Sequence, residues 1–275
     1  MVEAYTVKQG LIKYLVSPLF EKYHIPHLFS TRAGGVSKGV FESLNFSVGQ
    51  GNVKDSRENV EHNHMLAAKQ LGSEAGDICR TYQTHSTNVE FAQHKNCGIG
   101  FEYGVDGLIT NEEHILLSIR TADCTPILIF DTENNACAAV HSGWRGALNG
   151  IIIEAVQKMQ KQYGSDPRRM IAAIGPAAQV CCYEVGKELY ESFHAVSSEY
   201  DQAFILKQDK LYLSVPEINV IQLIKLGVPE QNISQCSLCT ICNPDLFFSH
   251  RRMGTVRGTM AAFIKIREKI RERKV

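Results

Sequence analysis

Apolar positions in the middle of the chain fall in runs of strand length rather than in alternation. The stretches 115–119, 126–130, 136–140 and 170–174 are apolar at almost every position, the pattern of strands covered on both faces. They predict a central sheet. Helical periodicity occupies 55–71, 147–163 and 216–226, and each stretch stops at a glycine: Gly72, Gly164 and Gly227. Pro216 suits a first helical turn, where a missing N–H leaves nothing unpaired. A last helix is expected from about Arg257, running into "IKIREKIRERKV", whose alternating charges read as a solvated face. Strands and helices alternate only in part, so the expected class is α/β: a layered α/β/α fold around a mixed sheet. No repeat or linker composition divides the chain, and residues 1–275 read as a single compact domain.

Charge and composition narrow the partners. The 29 basic and 29 acidic residues cancel, which argues against a nucleic-acid partner or an acidic membrane surface and for a small-molecule substrate. No apolar stretch is long enough to span a bilayer, and no basic N-terminal segment precedes an apolar run. A cytoplasmic location is expected, with monomer and homodimer both open. The nine cysteines include the adjacent pair Cys181 and Cys182. An odd number in a chain this long reads as reduced thiols rather than as a secreted disulfide framework.

"AAVHSGWRG", 138–146, ends an apolar run on His141 and sets the sole tryptophan beside Arg145 and two glycines. Seventeen positions before His141, "TADCTP" carries Asp123 and Cys124, and two strands joined by a tight turn would bring both segments to one end of a sheet. Upstream, "YQTHS" supplies His85. One thiolate and two imidazoles make a zinc set with a fourth position open for water or substrate, although the spacing follows no short consensus. The competing reading makes Cys124 a nucleophile activated by His141, as in amide hydrolysis. The bland reading is a buried small thiol and two surface histidines. Arg145 and Gly146 stand just before a helix expected to begin near Ala147, where backbone N–H groups and a guanidinium would suit phosphate. "STRAGGVSKG" adds Arg32 as an anion or substrate contact in a loop that lacks the Walker ending. Tyr183, in "GPAAQVCCYEVG", either stacks on a base or fills space. In "CSLCTICNPDLFFSHRR", Cys236, Cys239 and Cys242 are spaced by three and followed by His250. A second Cys/His zinc site there is not favoured, because no partner Cys-X-X-Cys is present.

Taken in order, "STRAGGVS", "QTHS", "VDGLIT", "TADCTP", "AAVHSGWRG", "IGPAAQVCCYEVG" and "CT…FFSHRR" resemble the YlmD/YfiH laccase-domain family over nearly the whole chain. The resemblance implies a cytoplasmic enzyme of layered α/β/α fold, a YlmD-type purine nucleoside phosphorylase. Such an enzyme phosphorolyses adenosine, inosine and S-methylthioadenosine and deaminates adenosine, so its partners are nucleosides and phosphate. It implies a metal held by His85, Cys124 and His141, with zinc expected and copper open, since a soft Cys/His set accepts either. The older laccase label implies copper-dependent phenol oxidation, and fold kinship with deamidating proteins implies an amide hydrolase that edits peptidoglycan precursors. Two positions depart from the family pattern. His250 stands where tyrosine is usual and alters the polarity of the pocket, and Gly107 replaces alanine beside Asp106. Phosphorolysis needs an anion beneath the anomeric carbon and stabilisation of the departing purine. Arg145, with Arg32 in support, suits the phosphate. Asp106 and Asp123 are expected as substrate contact, general base or orienter of a ligating histidine.

Overall fold

The computed structural model describes residues 4–49 and 52–268. The α/β class, the mixed pairing and the single domain are as the sequence implies, but the strands divide over two six-stranded sheets and a small third one. The first sheet runs in the order Thr6–Gln9, Lys13–Val16, His27–Ser30, Met260–Ile264, Leu116–Thr121, Ile78–Arg80. Its last pair is parallel and the others are antiparallel. The second runs Ile233–Gln235, Met170–Ile174, Thr125–Asp131, Ala136–Ser142, Gly107–Thr110, Val89–Phe91, with parallel pairs only at its two edges.

Burial on both faces follows from stacking. Leu117 and Ile119 of the first sheet meet Leu128, Phe130, Ala139 and Ala173 of the second in one core cluster. The outer face of the second sheet packs Ile127, Ile129 and Val140 against Ile152, Val156 and Met159 of the helix Ile151–Tyr163. The outer face of the first packs Leu116 and Phe263 against Ala67 and Ala68 of the helix Arg57–Gln70. The layers are therefore helix, sheet, sheet, helix, and the four apolar runs read from the sequence are the inner strands of this stack.

Two expected elements differ. The segment after Arg257 forms the strand Met260–Ile264, which is buried at all five positions between two neighbours of the first sheet. A run apolar all round satisfies a two-sided strand as well as a buried helix turn, and the charge alternation begins only beyond it. Residues 269–275, which carry most of that alternation, lie outside the described residues. The single helix expected over 147–163 is two, Trp144–Leu148 and Ile151–Tyr163, broken where Gly150 takes φ 80°, a left-handed value that glycine adopts without steric penalty. The helix Val215–Lys225 has Pro216 in its first turn, and the Ser214 hydroxyl accepts the Glu217 N–H.

Candidate active site

The hairpin of Thr125–Asp131 and Ala136–Ser142 places Pro126 opposite His141. Cys124, one residue before the first strand, and His141, at the end of the second, thus meet at one end of the sheet. Antiparallel pairing makes residues seventeen apart in sequence into neighbours. His85 joins them from the turn 84–86, with φ 60°. One buried carboxylate fixes that turn. Asp106 accepts the backbone N–H groups of Thr84, His85 and Ser86 at 3.0, 3.1 and 2.8 Å and the Ser86 hydroxyl at 2.8 Å. It also accepts Nδ1–H of His141 at 2.8 Å, which leaves Nε2 as the free ring nitrogen. Burial works against this carboxylate's charge, but the hydrogen bonds outweigh it and hold the group at about 2.

The side chains of His85, Cys124 and His141 bring their ligand atoms within 4.8 Å of one another, with the two imidazole centroids 4.9 Å apart. Burial raises the Cys124 thiol, but His141 and His85 outweigh it and pull it below the usual thiol range. Burial likewise disfavours imidazolium at His141, and Cys124 and Asp106 reverse that. Gly143 backs the cluster. A Cβ there would lie 2.8 Å from His85 Nδ1 and 3.1 Å from Cys124 Sγ, so the chain approaches the three side chains as closely as a bare backbone permits. One sulfur and two nitrogens fixed by an outer carboxylate, with open space in front, fit a zinc ion that keeps a free coordination position.

That space is a cavity of about 600 Å³, large enough for a small molecule. Arg145 lines it from the first turn of the helix Trp144–Leu148, which begins three residues earlier than expected, and its guanidinium lies 4.2 Å from the centre of the Trp144 ring. Tyr183 and His250 also face it. Two arginines that sequence reasoning did not single out complete the wall. Arg251 sits 4.9 Å over the Tyr183 ring and donates to the Glu184 carbonyl. Arg257 has a buried Nε with no partner. Of the two, Arg251 adjoins His250 in the "FFSHRR" segment, a local signal that could have found it, whereas nothing in the local pattern around Arg257 points to a cavity.

Three expected contacts stand elsewhere in the geometry. Asp106 is fully buried, and its oxygens are taken up by the turn and by His141, so it reaches the cavity only through them. Asp123 lines the cavity, but its Oδ1 accepts Thr240 Oγ1–H at 2.6 Å, and its Oδ2 accepts the Ser249 hydroxyl at 3.0 Å and the Arg251 N–H at 2.7 Å. It ties segments together rather than presenting a free base. Arg32 is not part of the cavity wall. Its guanidinium donates to the carbonyls of Glu42 and Pro244 and stacks 4.5 Å from the Phe248 ring centre.

Residues 26–267 match the family described as multi-copper polyphenol oxidoreductase laccase. The chain belongs to that family. Among similar proteins, a purine nucleoside phosphorylase of Bacteroides thetaiotaomicron is 32% identical over 251 residues, 88% of this chain and 92% of the relative. An adenosine deaminase named RL5, from an unidentified prokaryote, is 30% identical over 239 residues, 84% of this chain and 90% of the relative. The crystal structure of YlmD from Geobacillus stearothermophilus aligns with a TM-score of 0.84 at 31% identity, over 95% of this chain and 99% of that one. The YlmD/YfiH resemblance carried by the seven sequence blocks is thereby confirmed. The family's laccase-like name and the His/Cys cluster together point to a metal at this site. No described helix is long and apolar enough to cross a membrane.

Proposed function

We propose that the protein is a zinc-dependent purine nucleoside phosphorylase. It takes adenosine, inosine or S-methylthioadenosine with phosphate to the free base and ribose 1-phosphate or its methylthio counterpart, and it deaminates adenosine in the same site. The observation that carries this reading is one cavity lined by His85 and Cys124, two members of the His–Cys–His cluster whose third, His141, lies buried behind them, and by three arginines. A zinc ion held by His85, Cys124 and His141 would supply Lewis-acid polarisation of an oxygen in the cavity. Arg145, Arg251 and Arg257 hold the phosphate anion so that one of its oxygens bonds to the anomeric carbon as the glycosidic bond breaks and its electron pair leaves with the purine. Trp144 and Tyr183, each already paired with an arginine, offer flat faces to the purine. His250 stands in the wall to hand a proton to the departing base. Asp106 fixes the His141 ring through Nδ1, and Asp123 fixes the wall segment that carries His250 and Arg251. Beside the main cavity, a depression of about 390 Å³ shares Trp144, Tyr183 and Arg251 with it and adds Val185 and Leu189 together with Glu184, Glu188 and Ser192, which leaves room for a 5′ substituent. The names of the similar phosphorylase and deaminase support the reading.

A second reading is favoured by one observation. Cys124, His141 and Asp106 stand in the order nucleophile, base and orienter, with the thiol lowered and the imidazole raised, the electrostatics of a Cys/His amide hydrolase. A sulfur engaged by zinc is unavailable as a nucleophile, so the two readings separate cleanly. Chromatography of inosine incubated with zinc-loaded protein, with and without phosphate and against Cys124→Ala, tests the first. Hypoxanthine with ribose 1-phosphate, formed only with phosphate and only with Cys124 intact, is the expected result. No hypoxanthine in any arm overturns phosphorolysis. Alkylation of Cys124 in the zinc-loaded protein supports the hydrolase.

A further inference from the structure

Cys239 and Cys242 have no second Cys-X-X-Cys pair elsewhere in the sequence to complete a four-thiolate set. The fold supplies one of a different form. After the strand Met170–Ile174 the chain runs through the loop that carries Cys181 and Cys182, and after Ile233–Gln235 it runs through the loop that carries Cys239 and Cys242. These two strands are parallel neighbours, so both loops leave the same sheet edge in the same direction. The pairing continues past the strands. Ala177 and Cys239 form a parallel bridge, the Thr240 N–H donates to the Ala177 carbonyl at 3.0 Å, and Gln179 Nε2 donates to the Cys236 carbonyl at 3.3 Å.

The four sulfurs converge as a result. All lie within 4.8 Å of one another, and Cys242 Sγ lies 3.3 Å from Cys181 Sγ and 2.9 Å from Cys182 Sγ. None of the four is in a disulfide. A tetrahedral ion with metal–sulfur bonds of about 2.3 Å places its sulfurs about 3.8 Å apart, within the 4.8 Å that contains all four, and the two short separations open by less than 1 Å to reach it. An iron–sulfur cluster holds its thiolates farther apart than 4.8 Å allows, so the space takes a single ion. Four thiolates around one dication carry net negative charge, and two cationic side chains hold the flanking backbone. Lys207 Nζ donates to the Val180 carbonyl at 3.2 Å, and Arg252 donates to the carbonyls of Thr240 and Ile241 at 3.1 and 2.9 Å.

We propose that Cys181, Cys182, Cys239 and Cys242 bind a second zinc ion, a closed structural site separate from the His85–Cys124–His141 cluster. It uses all four positions on protein sulfur and has no opening for water, so it performs no chemistry. It fastens together the two loops that form one wall of the cavity. Cys182 precedes Tyr183, and the segment after Cys242 continues to His250 and Arg251, all three of which face the cavity.

The test is zinc content by elemental mass spectrometry, combined with zinc-edge X-ray absorption, on the full chain. Wild type is expected to hold two zinc ions per chain. His85→Ala/Cys124→Ala, which leaves the four-cysteine cluster untouched, is expected to hold one, surrounded by four sulfurs at about 2.3 Å. Cys181→Ser/Cys242→Ser is expected to hold one in a mixed nitrogen and sulfur shell. A zinc-free His85→Ala/Cys124→Ala protein overturns the proposal, and so does a disulfide between any two of these cysteines in the protein as isolated. Neither readout involves nucleoside turnover, so the second site stands or falls independently of the phosphorylase reading.

Discussion

Replacing Gly143 with alanine adds one methyl group and nothing else to the backbone problem. Gly143 has φ −77° and ψ 173°, an extended conformation that alanine adopts freely. The new Cβ would stand 2.8 Å from His85 Nδ1 and 3.1 Å from Cys124 Sγ, whereas ordinary contact begins at 3.4 Å. The imidazole must therefore retreat by about 0.6 Å and the thiol by about 0.3 Å. Metal–ligand bonds tolerate only about 0.2 Å, so the set opens beyond what a bound ion can bridge. Disturbing the groups that support metal ligands typically costs 10–100-fold in affinity, or about 1.4–2.8 kcal/mol. Gly143→Ala is expected to lose zinc affinity by that factor in competition with a chromophoric chelator, with its urea-unfolding midpoint in excess zinc close to wild type. Phosphorolysis should fall at limiting zinc and recover in part at excess. Unchanged affinity and full activity would refute both the placement of the ion and the role assigned to this close approach.

Other expectations follow from the same geometry. Asp106→Asn removes the charge that fixes His141, and it is expected to weaken zinc binding about 10–100-fold; wild-type affinity would show that the hydrogen bond does not set the ring. Arg257→Met removes a charged donor from phosphate and is expected to raise KM for phosphate about 10–100-fold, the equivalent of one charge-assisted hydrogen bond, with KM for inosine little changed. An unchanged phosphate KM would remove Arg257 from the anion site. His27 is buried with Nε2 accepting the Ser17 N–H and Nδ1–H donating to the Ile25 carbonyl, and burial holds it near 4, below its ordinary 6.5. The unfolded chain therefore takes up this proton first, and stability present above pH 6.5 is lost as pH falls toward 4. At pH 5 the loss from this residue is about 2 kcal/mol. Urea unfolding at pH 7 and pH 5 should show it in wild type and not in His27→Gln, and equal pH dependence of the two proteins would refute it.

The four buried strands and the hairpin that carries Cys124 and His141 were legible because contiguous apolar runs and a short turn are local signals. The helix Arg57–Gln70 and the helix Val215–Lys225 were legible from their glycine stops. The final strand was not, since 260–264 is apolar on both faces and the charged periodicity just after it suggests a helix. The ligand set was read through the motifs of a family, and their spacing alone did not decide it. Arg32 looked free in a glycine-rich loop, but its guanidinium is occupied by two carbonyls that only the fold brings near. Arg257 and the four-cysteine cluster were out of reach for the same reason: their neighbours are about sixty or more positions away in sequence.

The bonds made by Asp123 have a bearing on how the protein is made. Thr240, Ser249 and Arg251, which grip its carboxylate, lie 117, 126 and 128 residues downstream. At a synthesis rate of about 5–20 residues per second, the hairpin bearing Cys124 and His141, complete at Ser142, emerges roughly 5–22 s before the segment that walls it in. For that interval the nascent chain carries an activated thiol on a finished hairpin with no cavity around it. Ribosome-bound chains arrested before residue 240 should accordingly be alkylated at Cys124 faster than the completed protein.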